Sequence, residues 1–248
     1  MAITVVSSAS AAFDFGTTPQ GDAPTTTIPA TAVLADDYIF ILFSMAKAQG
    51  IFTAGDPPTG FTEVCAFVSA TGGSDRMSQV WYKKAVGGEE DDVFSFTTSL
   101  AGSAVQTGNI VLRGVDTASP FDVTATHATF HLQGQNDATP ACAALTTVTD
   151  GAFVIAFTSL AGVTADVVSG YSSSRGGATV FVGVNENSGA ALATYEEIAS
   201  ASTVGSDIHT YTDANAAADW TSMIFALRPS AAAAAAGGQL VMGRGLVG

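Results

Sequence analysis

Apolar residues in this chain recur at every second position or in short unbroken runs, with almost none of the three-to-four spacing of a helix. Residues 2–8 (AITVVSS) predict a first strand rich in β-branched side chains. A loop from Ser10 to Pro29 follows, punctuated by Gly16, Pro19, Gly21, Pro24 and Pro29. Asp37–Lys47 (DYIFILFSMAK) is almost continuously apolar, which predicts a central strand buried on both faces. Phe61–Ser69 predicts another strand and Ser69–Asp75 a hairpin turn. Arg76–Val86 alternates, with Met77, Gln79, Trp81 and Lys83 on one face and Ser78, Val80, Tyr82 and Lys84 on the other. That pattern predicts core on one side and a rim or interface on the other. The acidic turn GGEEDD then leads to a short strand, Val93–Thr98.

The stretch Asn109–Asp122 (NIVLRGVDTASPFD) organises the rest. It runs as an apolar strand, places Arg113 at its end, breaks at Gly114 and turns through Asp116–Ser119 before Pro120 restarts extended chain. Trp220–Ser230 (WTSMIFALRPS) repeats the plan, with an apolar strand, Arg228 and a stop at Pro229. Between them, Phe121–Leu132 and Ala141–Val148 predict weaker strands of small residues. Gly151–Leu160 (GAFVIAFTSL) reads as a second copy of the central strand: Asp150 precedes it as Asp37 begins the first, and the apolar runs end in Ser159 and Ser44. Gly170–Glu186 contains a turn and a strand, and the last strands are Asp207–Tyr211 and Asp219–Leu227. Ala190–Ala201 (AALATYEEIASA) is the one segment that predicts a helical turn.

A dozen or so short strands between Gly, Pro, Asn and Asp turns predict an all-β, antiparallel two-sheet sandwich over residues 1–229. A jelly roll is the expected form, with two tandem immunoglobulin-like domains as the alternative. The repeated order of strands divides it into pseudo-repeated halves of about 1–122 and 123–229, expected to interlock so that each half supplies strands to both sheets. From residue 230 the character changes to an Ala/Gly-rich C-terminal arm with an apolar tip, SAAAAAAGGQLVMGRGLVG.

Composition narrows the function classes. Eight basic against 22 acidic residues leave a net charge of −14, which repels nucleic acid and anionic membranes and argues against both as partners. Charged residues make up only 12% of the chain, so hydroxyl and small side chains must cover much of the surface, as in extracellular or assembled proteins. The first residues, MAITVVSSAS, lack the basic and long apolar regions of a secretory leader, and no apolar run is long enough for a membrane span. Cys65 and Cys142 show no CxxC spacing. Alternation from Phe61 through Cys65 to Phe67 predicts a buried free thiol at Cys65 in preference to a disulfide.

Candidate chemistry is sparse. Of the three histidines, His127 and His131 are four apart, but on a strand that separation is about 13 Å, too far for a shared metal ion. His209 is the third candidate for proton transfer. Glu89, Glu90, Asp91 and Asp92 could offer oxygen ligands to calcium but lack EF-hand alternation and read as a solvated turn. Trp81, Tyr82, Tyr171 and Tyr195 could stack on sugars, although aromatic residues in strands are usually core. No nucleophile elbow, zinc-binding helix or phosphate loop occurs. The expectation is a chain with no catalytic residues, no metal and no cofactor.

The run ADDYIFILFS, then PPTGFTEV, RMSQVWYKKAVGGEEDDVFSFTTS and NIVLRGVDTASPFD, resembles a family of β-sandwich proteins encoded among the structural genes of tailed bacteriophages. The resemblance covers roughly residues 25–160. Where that family has Gly-Asp before its central strand, this chain has Ala35-Asp36-Asp37. The resemblance implies a non-enzymatic virion structural protein, assembled in the host cytoplasm and located in the virion, either on the head as a capsid decoration or cement protein or on the tail. It implies the major capsid protein or other virion subunits as partners and a homo-oligomeric state. In this reading Leu240, Val241, Met242, Arg244, Leu246 and Val247 of the arm are the partner-binding residues. The competing expectation is a tail-fibre or adhesin module that binds host-surface glycans.

Overall fold

The computed structural model describes residues 1–14, 24–47, 57–69, 75–95, 104–122, 132–134, 139–161, 168–186, 189–212 and 219–231. These residues are all-β. The first half supplies β1 (Thr4–Asp14), β2 (Thr25–Thr27), β3 (Tyr38–Lys47), β4 (Thr62–Ser69), β5 (Asp75–Lys84), β6 (Val93–Ser95) and β7 (Ala104–Arg113). The second supplies β8 (Leu132–Gly134), β9 (Ala141–Cys142), β10 (Leu145–Thr146), β11 (Ala152–Ala161), β12 (Gly170–Ser173), β13 (Thr179–Glu186), β14 (Gly189–Ile198), β15 (Thr203–Val204), β16 (Asp207–Thr212) and β17 (Asp219–Leu227).

Two five-stranded antiparallel sheets form the frame, ordered β1-β7-β3-β5-β4 and β8-β17-β11-β14-β13. Each takes its strands from one half of the chain, in the same order: first strand at the edge, then the last, second, fourth and third. The expectation that each half would contribute to both sheets is therefore corrected. The repeat itself is deeper than the sequence suggests. Phe40 faces Tyr82 and Ile110, and Ile155 faces Tyr195 and Phe225. In that register Ser44 matches Ser159, Arg113 matches Arg228, and the bulge in β4 opposite Trp81 and Val80 matches the bulge in β13 opposite Thr194 and Ala193. Asp36 (φ 73°) matches Gly151 (φ 75°) in the turn before each central strand. Each half also carries a small pair lying outside its large sheet, β2-β6 in the first and β10-β15 in the second; the second half adds the three-stranded β12-β16-β9.

The central strands are buried on both faces, as their unbroken apolar runs predict. Facing the other half, Tyr38, Phe40, Leu42, Val80, Ile110 and Leu112 meet Phe153, Ile155, Phe157, Met223, Phe225 and Leu227 in one cluster. The rings of Phe40 and Phe225 lie 5.6 Å apart. Each such side chain withdrawn from water stabilises the fold by about 1.5–3 kcal/mol before ordering costs. Further along the same interface the apolar character gives way to a buried triangle of hydroxyls, Ser78, Ser159 and Thr221, with oxygen separations of 2.7–2.9 Å. Gly108 leaves room here for β13: a Cβ at this position would stand 2.3 Å from a Val182 methyl.

The outer faces differ. On the first sheet Ile39, Ile41, Phe43, Met45, Trp81 and Val111 are sealed by Ile28, Val33 and Phe61. Asn109 pins β2 in place by donating to Thr26 Oγ1 (2.7 Å) and the Thr27 carbonyl (3.0 Å). On the second sheet the cover comes from Cys142, Leu145 and Val204, and from Tyr211 beside Leu160, Leu192 and Trp220.

Three local expectations change. The segment expected to make a helical turn is strand β14: Ala and Leu favour helix in isolation, but here β11 and β13 provide a ladder on both sides and both faces of the strand are buried, which removes the alternating signal. The first strand extends to Asp14, and β2 lies inside the stretch expected to be loop. The register shift between Glu63 and Cys65 breaks the alternation from Phe61, so the count that grouped Phe61 with Cys65 and Phe67 does not hold. Most of the strand expected at Phe121–Leu132 lies outside the described residues.

Candidate functional site

A dense polar constellation lies where the chain passes from one half to the other. β7 ends in Arg113, whose guanidinium grips Asp37 with two hydrogen bonds, Nε to Oδ1 (2.8 Å) and Nη2 to Oδ2 (2.7 Å). Asp37 is 2% exposed, and a fork-to-fork pair is the geometry that lets arginine hold a buried carboxylate. The other carboxylate bond fixes the approach to β3, since Asp37 Oδ2 accepts from Leu34 N (2.9 Å). At the approach to β3, Asp36 occupies the left-handed conformation that glycine adopts most freely, and Asp37 takes the arginine.

Beyond Arg113 the chain turns at Gly114 (φ 88°), where a Cβ would lie 2.6 Å from the Ala2 carbonyl oxygen. Asp116 then accepts from Ala118 N (2.8 Å) and Ser119 N (3.1 Å), which holds its carboxyl below the usual range and closes the turn. The segment continues antiparallel to the end of β17, through Asp116 N to the Arg228 carbonyl, Arg228 N to the Pro120 carbonyl, and Asp122 N to the Ala226 carbonyl. Asp122 is buried; it accepts from Val148 N (2.7 Å) and Thr149 N (3.3 Å) and lies 3.6 Å from Arg228 Nε. Both halves thus close on an arginine held by a buried aspartate, tightly in the first and loosely in the second. Asp150, the sequence parallel of Asp37, is exposed and caps Ala201 N instead.

Two shallow clefts flank this corner and occupy matching places in the two halves. One, about 290 Å³, is lined by Leu34, Asp36, Arg113 and Thr117; the other, about 390 Å³, by Thr149, Asp150, Gly151 and Glu197. Met1 and Ser230 line both.

The acidic turn has a structural occupation. Glu89, 4% exposed, accepts from Val86 N and Gly87 N (2.8 Å each) and pairs with Lys83 (3.2 Å), while Glu90 accepts from Val33 N (3.1 Å). Burial pushes the Glu89 carboxyl up, but those bonds outweigh it and hold it below its ordinary value. Among the described residues, no group of three or more His, Cys, Asp or Glu side chains is placed to hold a metal ion.

His209 has the partners of a proton relay. Its Nδ1 is 2.7 Å from Thr158 Oγ1 and its Nε2 is 3.1 Å from both Asp207 Oδ2 and Thr194 Oγ1. The order carboxylate, imidazole, hydroxyl is that of a nucleophilic triad. Asp207, His209 and Thr158 are each 0% exposed, however, so no substrate reaches the hydroxyl in this conformation. Burial pushes the Asp207 carboxyl up, and bonds from His209 and Ser173, with the charges of His209 and Arg175, bring it below its usual range.

The remaining candidates divide as follows. Trp81 is core, and the rings of Tyr195 and Tyr171 lie against Phe153 (5.0 Å) and Tyr211 (5.7 Å) respectively, so these aromatics serve packing. Tyr82 is partly buried against Phe40 and Phe121. Cys142 is a free, buried thiol whose titration burial pushes up. Leu240, Val241, Met242, Arg244, Leu246 and Val247, like His127 and His131, lie outside the described residues, as does the side chain of Cys65. Compared with known proteins, the chain matches no family model, no curated protein and no solved structure.

Proposed function

We propose that this chain is a non-enzymatic structural protein of a tailed-bacteriophage virion, a decoration or cement protein on the capsid. The observation that carries the reading is the corner itself. Within the stretches that bear the resemblance to phage structural proteins, Asp37, Arg113, Gly114, Asp116 and Asp122 act in one place, and there they fasten strands and halves together. Fasteners of this kind support a role that rests on a stable frame. The finer architecture belongs to the same proposal: a two-sheet sandwich in which each half supplies one sheet and sets its last strand between its first and second.

In this reading the frame presents the C-terminal arm, and Leu240, Val241, Met242, Arg244, Leu246 and Val247 insert into the major capsid protein or another virion subunit. An apolar peptide of that size buries on the order of a few hundred Å² and stabilises by a few kcal/mol before ordering costs. The test compares the full chain with one ending at Ser230 for binding to purified particles. Loss of binding by the folded, shortened chain supports the arm as anchor. Normal binding by the shortened chain overturns it, and sugar binding by the loops, read on a glycan array, would then favour an adhesin.

A further inference from the structure

Among the described residues, two long strand edges of the frame lie unpaired on the same side. β1 has β7 as its one ladder partner and β13 has β14, and β1 and β13 lie against each other across the two layers. The outward N–H and C=O groups of such edges are a template for another strand, which folded chains ordinarily blunt with charge, proline or a bulge. Here Thr4–Phe13 and Thr179–Asn185 contain no charged residue and no proline. The bulge in β1 falls near its start, between Val5 and Ser7, and from Ser7 to Asp14 the register with β7 is unbroken. β13 bulges between Val180 and Val182, and Val180 is 40% exposed. The β4 edge is guarded differently, by the exposed Glu63 beside its own bulge.

We propose that the wall formed by β1 and β13 is where two copies of this chain join. β1 runs antiparallel to β1 of the second copy about a two-fold axis normal to the sheets, with β13 of each copy alongside. An edge strand is its own complement in this arrangement, because each supplies the donors and acceptors the other lacks. Charge selects the place. Two copies at −14 repel each other, and carboxylates trapped between them would add a desolvation cost, whereas the two spans on this wall bring none. Ser7–Asp14, eight residues at about 3.4 Å each, gives a strip about 27 Å long, and two layers about 10 Å apart with their side chains make it about 20 Å wide. Two such strips bury on the order of 1,000 Å², the lower bound of a specific interface, so the dimer is expected to depend on concentration. This inference does not rest on the virion reading.

The test is sedimentation of the full chain from about 1 to about 200 μM, with amide exchange of β1 followed at both ends of that range. The inference expects the mass to rise from 24.9 kDa towards twice that value, and β1 amides to exchange more slowly at the higher concentration. Ser10→Lys, at an exposed position near the middle of the pairing, sets like charges beside each other across the axis and should restore the monomer while circular dichroism shows an intact fold. Leu240→Asp/Leu246→Asp in the arm should leave the dimer intact. A wild-type chain that stays monomeric throughout would overturn the inference. So would a dimer that survives Ser10→Lys, or one lost on changing the arm, which would move the contact there. If Ser10→Lys does not fold, the wild-type exchange decides, and concentration-dependent protection confined to other strands overturns the proposal.

Discussion

At one matched place the two halves solve the same packing problem with opposite chemistry. Outside the first sheet, the rings of Phe43 and Trp81 pack at a 44° tilt with centres 5.8 Å apart and close the face by apolar contact. Their counterparts in the second sheet are Thr158 and Thr194, and the space between outer strands and sheet is occupied by His209 and Asp207. The frames agree in strand order, register and bulge, so the frame does not dictate the filling. An apolar lock is indifferent to pH, whereas one built on a carboxylate depends on that carboxylate staying ionised.

The comparison is broken most severely at Trp81. Trp81→Ala removes a large, fully buried side chain and should cost about 3–5 kcal/mol, read by chemical denaturation. Thr194→Val, at the matching position, should cost less, about 1–3 kcal/mol, because it leaves a bond of His209 unmade without opening a comparable cavity. If the two costs were equal, the halves would not be locked differently.

A second test addresses the interface the halves share. Gly108→Ala forces a Cβ towards Val182 and should destabilise by about 1–3 kcal/mol, with Val182→Ala in the same chain restoring part of the loss. Additive costs for the pair would mean that β7 and β13 do not touch there.

The arginine clasps offer a smaller contrast. Asp37→Asn removes half of a two-bond clasp from a buried position and should cost about 1–2 kcal/mol, tempered by the partial exposure of Arg113. Asp122→Asn retains an acceptor for Val148 N and weakens an ion pair already at 3.6 Å, so its effect should be smaller. Thermal melts of the two variants rank them directly.

The smallest effect is expected in acid. Asp207 and Glu89 both titrate lower in the folded chain than carboxylates ordinarily do. Their contribution is therefore complete above about pH 4 and is lost as pH falls through their folded values. Melting temperature measured down to about pH 2 should decline in that window, and Asp207→Asn should flatten the decline. An unchanged profile in the variant would show that Asp207 contributes nothing to it.

How much of this was legible in the sequence follows from where each signal resides. Tyr38–Lys47 and Ala152–Ala161 were readable as twin central strands because unbroken apolar runs leave few alternatives, and Arg113 and Arg228 marked the matching ends of β7 and β17. β2 was not readable, since three threonines inside a Gly/Pro-punctuated stretch carry no periodic signal. β14 resembled helix because alanine is small enough to be buried on either face. The segregation of the sheets depends on which strands pair, which local pattern does not encode. His209 could be named as a candidate, but its partners beyond its own strand, Thr158 and Thr194, come from β11 and β14, and only the fold brings them together. The short repeat Asp207-x-His209-x-Tyr211 on one face of a strand was the available clue.

The central claim is the proposal that this frame is a virion part, and it is tested most directly by quantitative mass spectrometry of phage particles released from cells that make this chain, purified through a high-salt wash. The account predicts this chain in the washed particles at a fixed ratio to the major capsid protein, set by the symmetry of the shell. Its absence from washed particles, while present in the infected-cell lysate, would contradict the account.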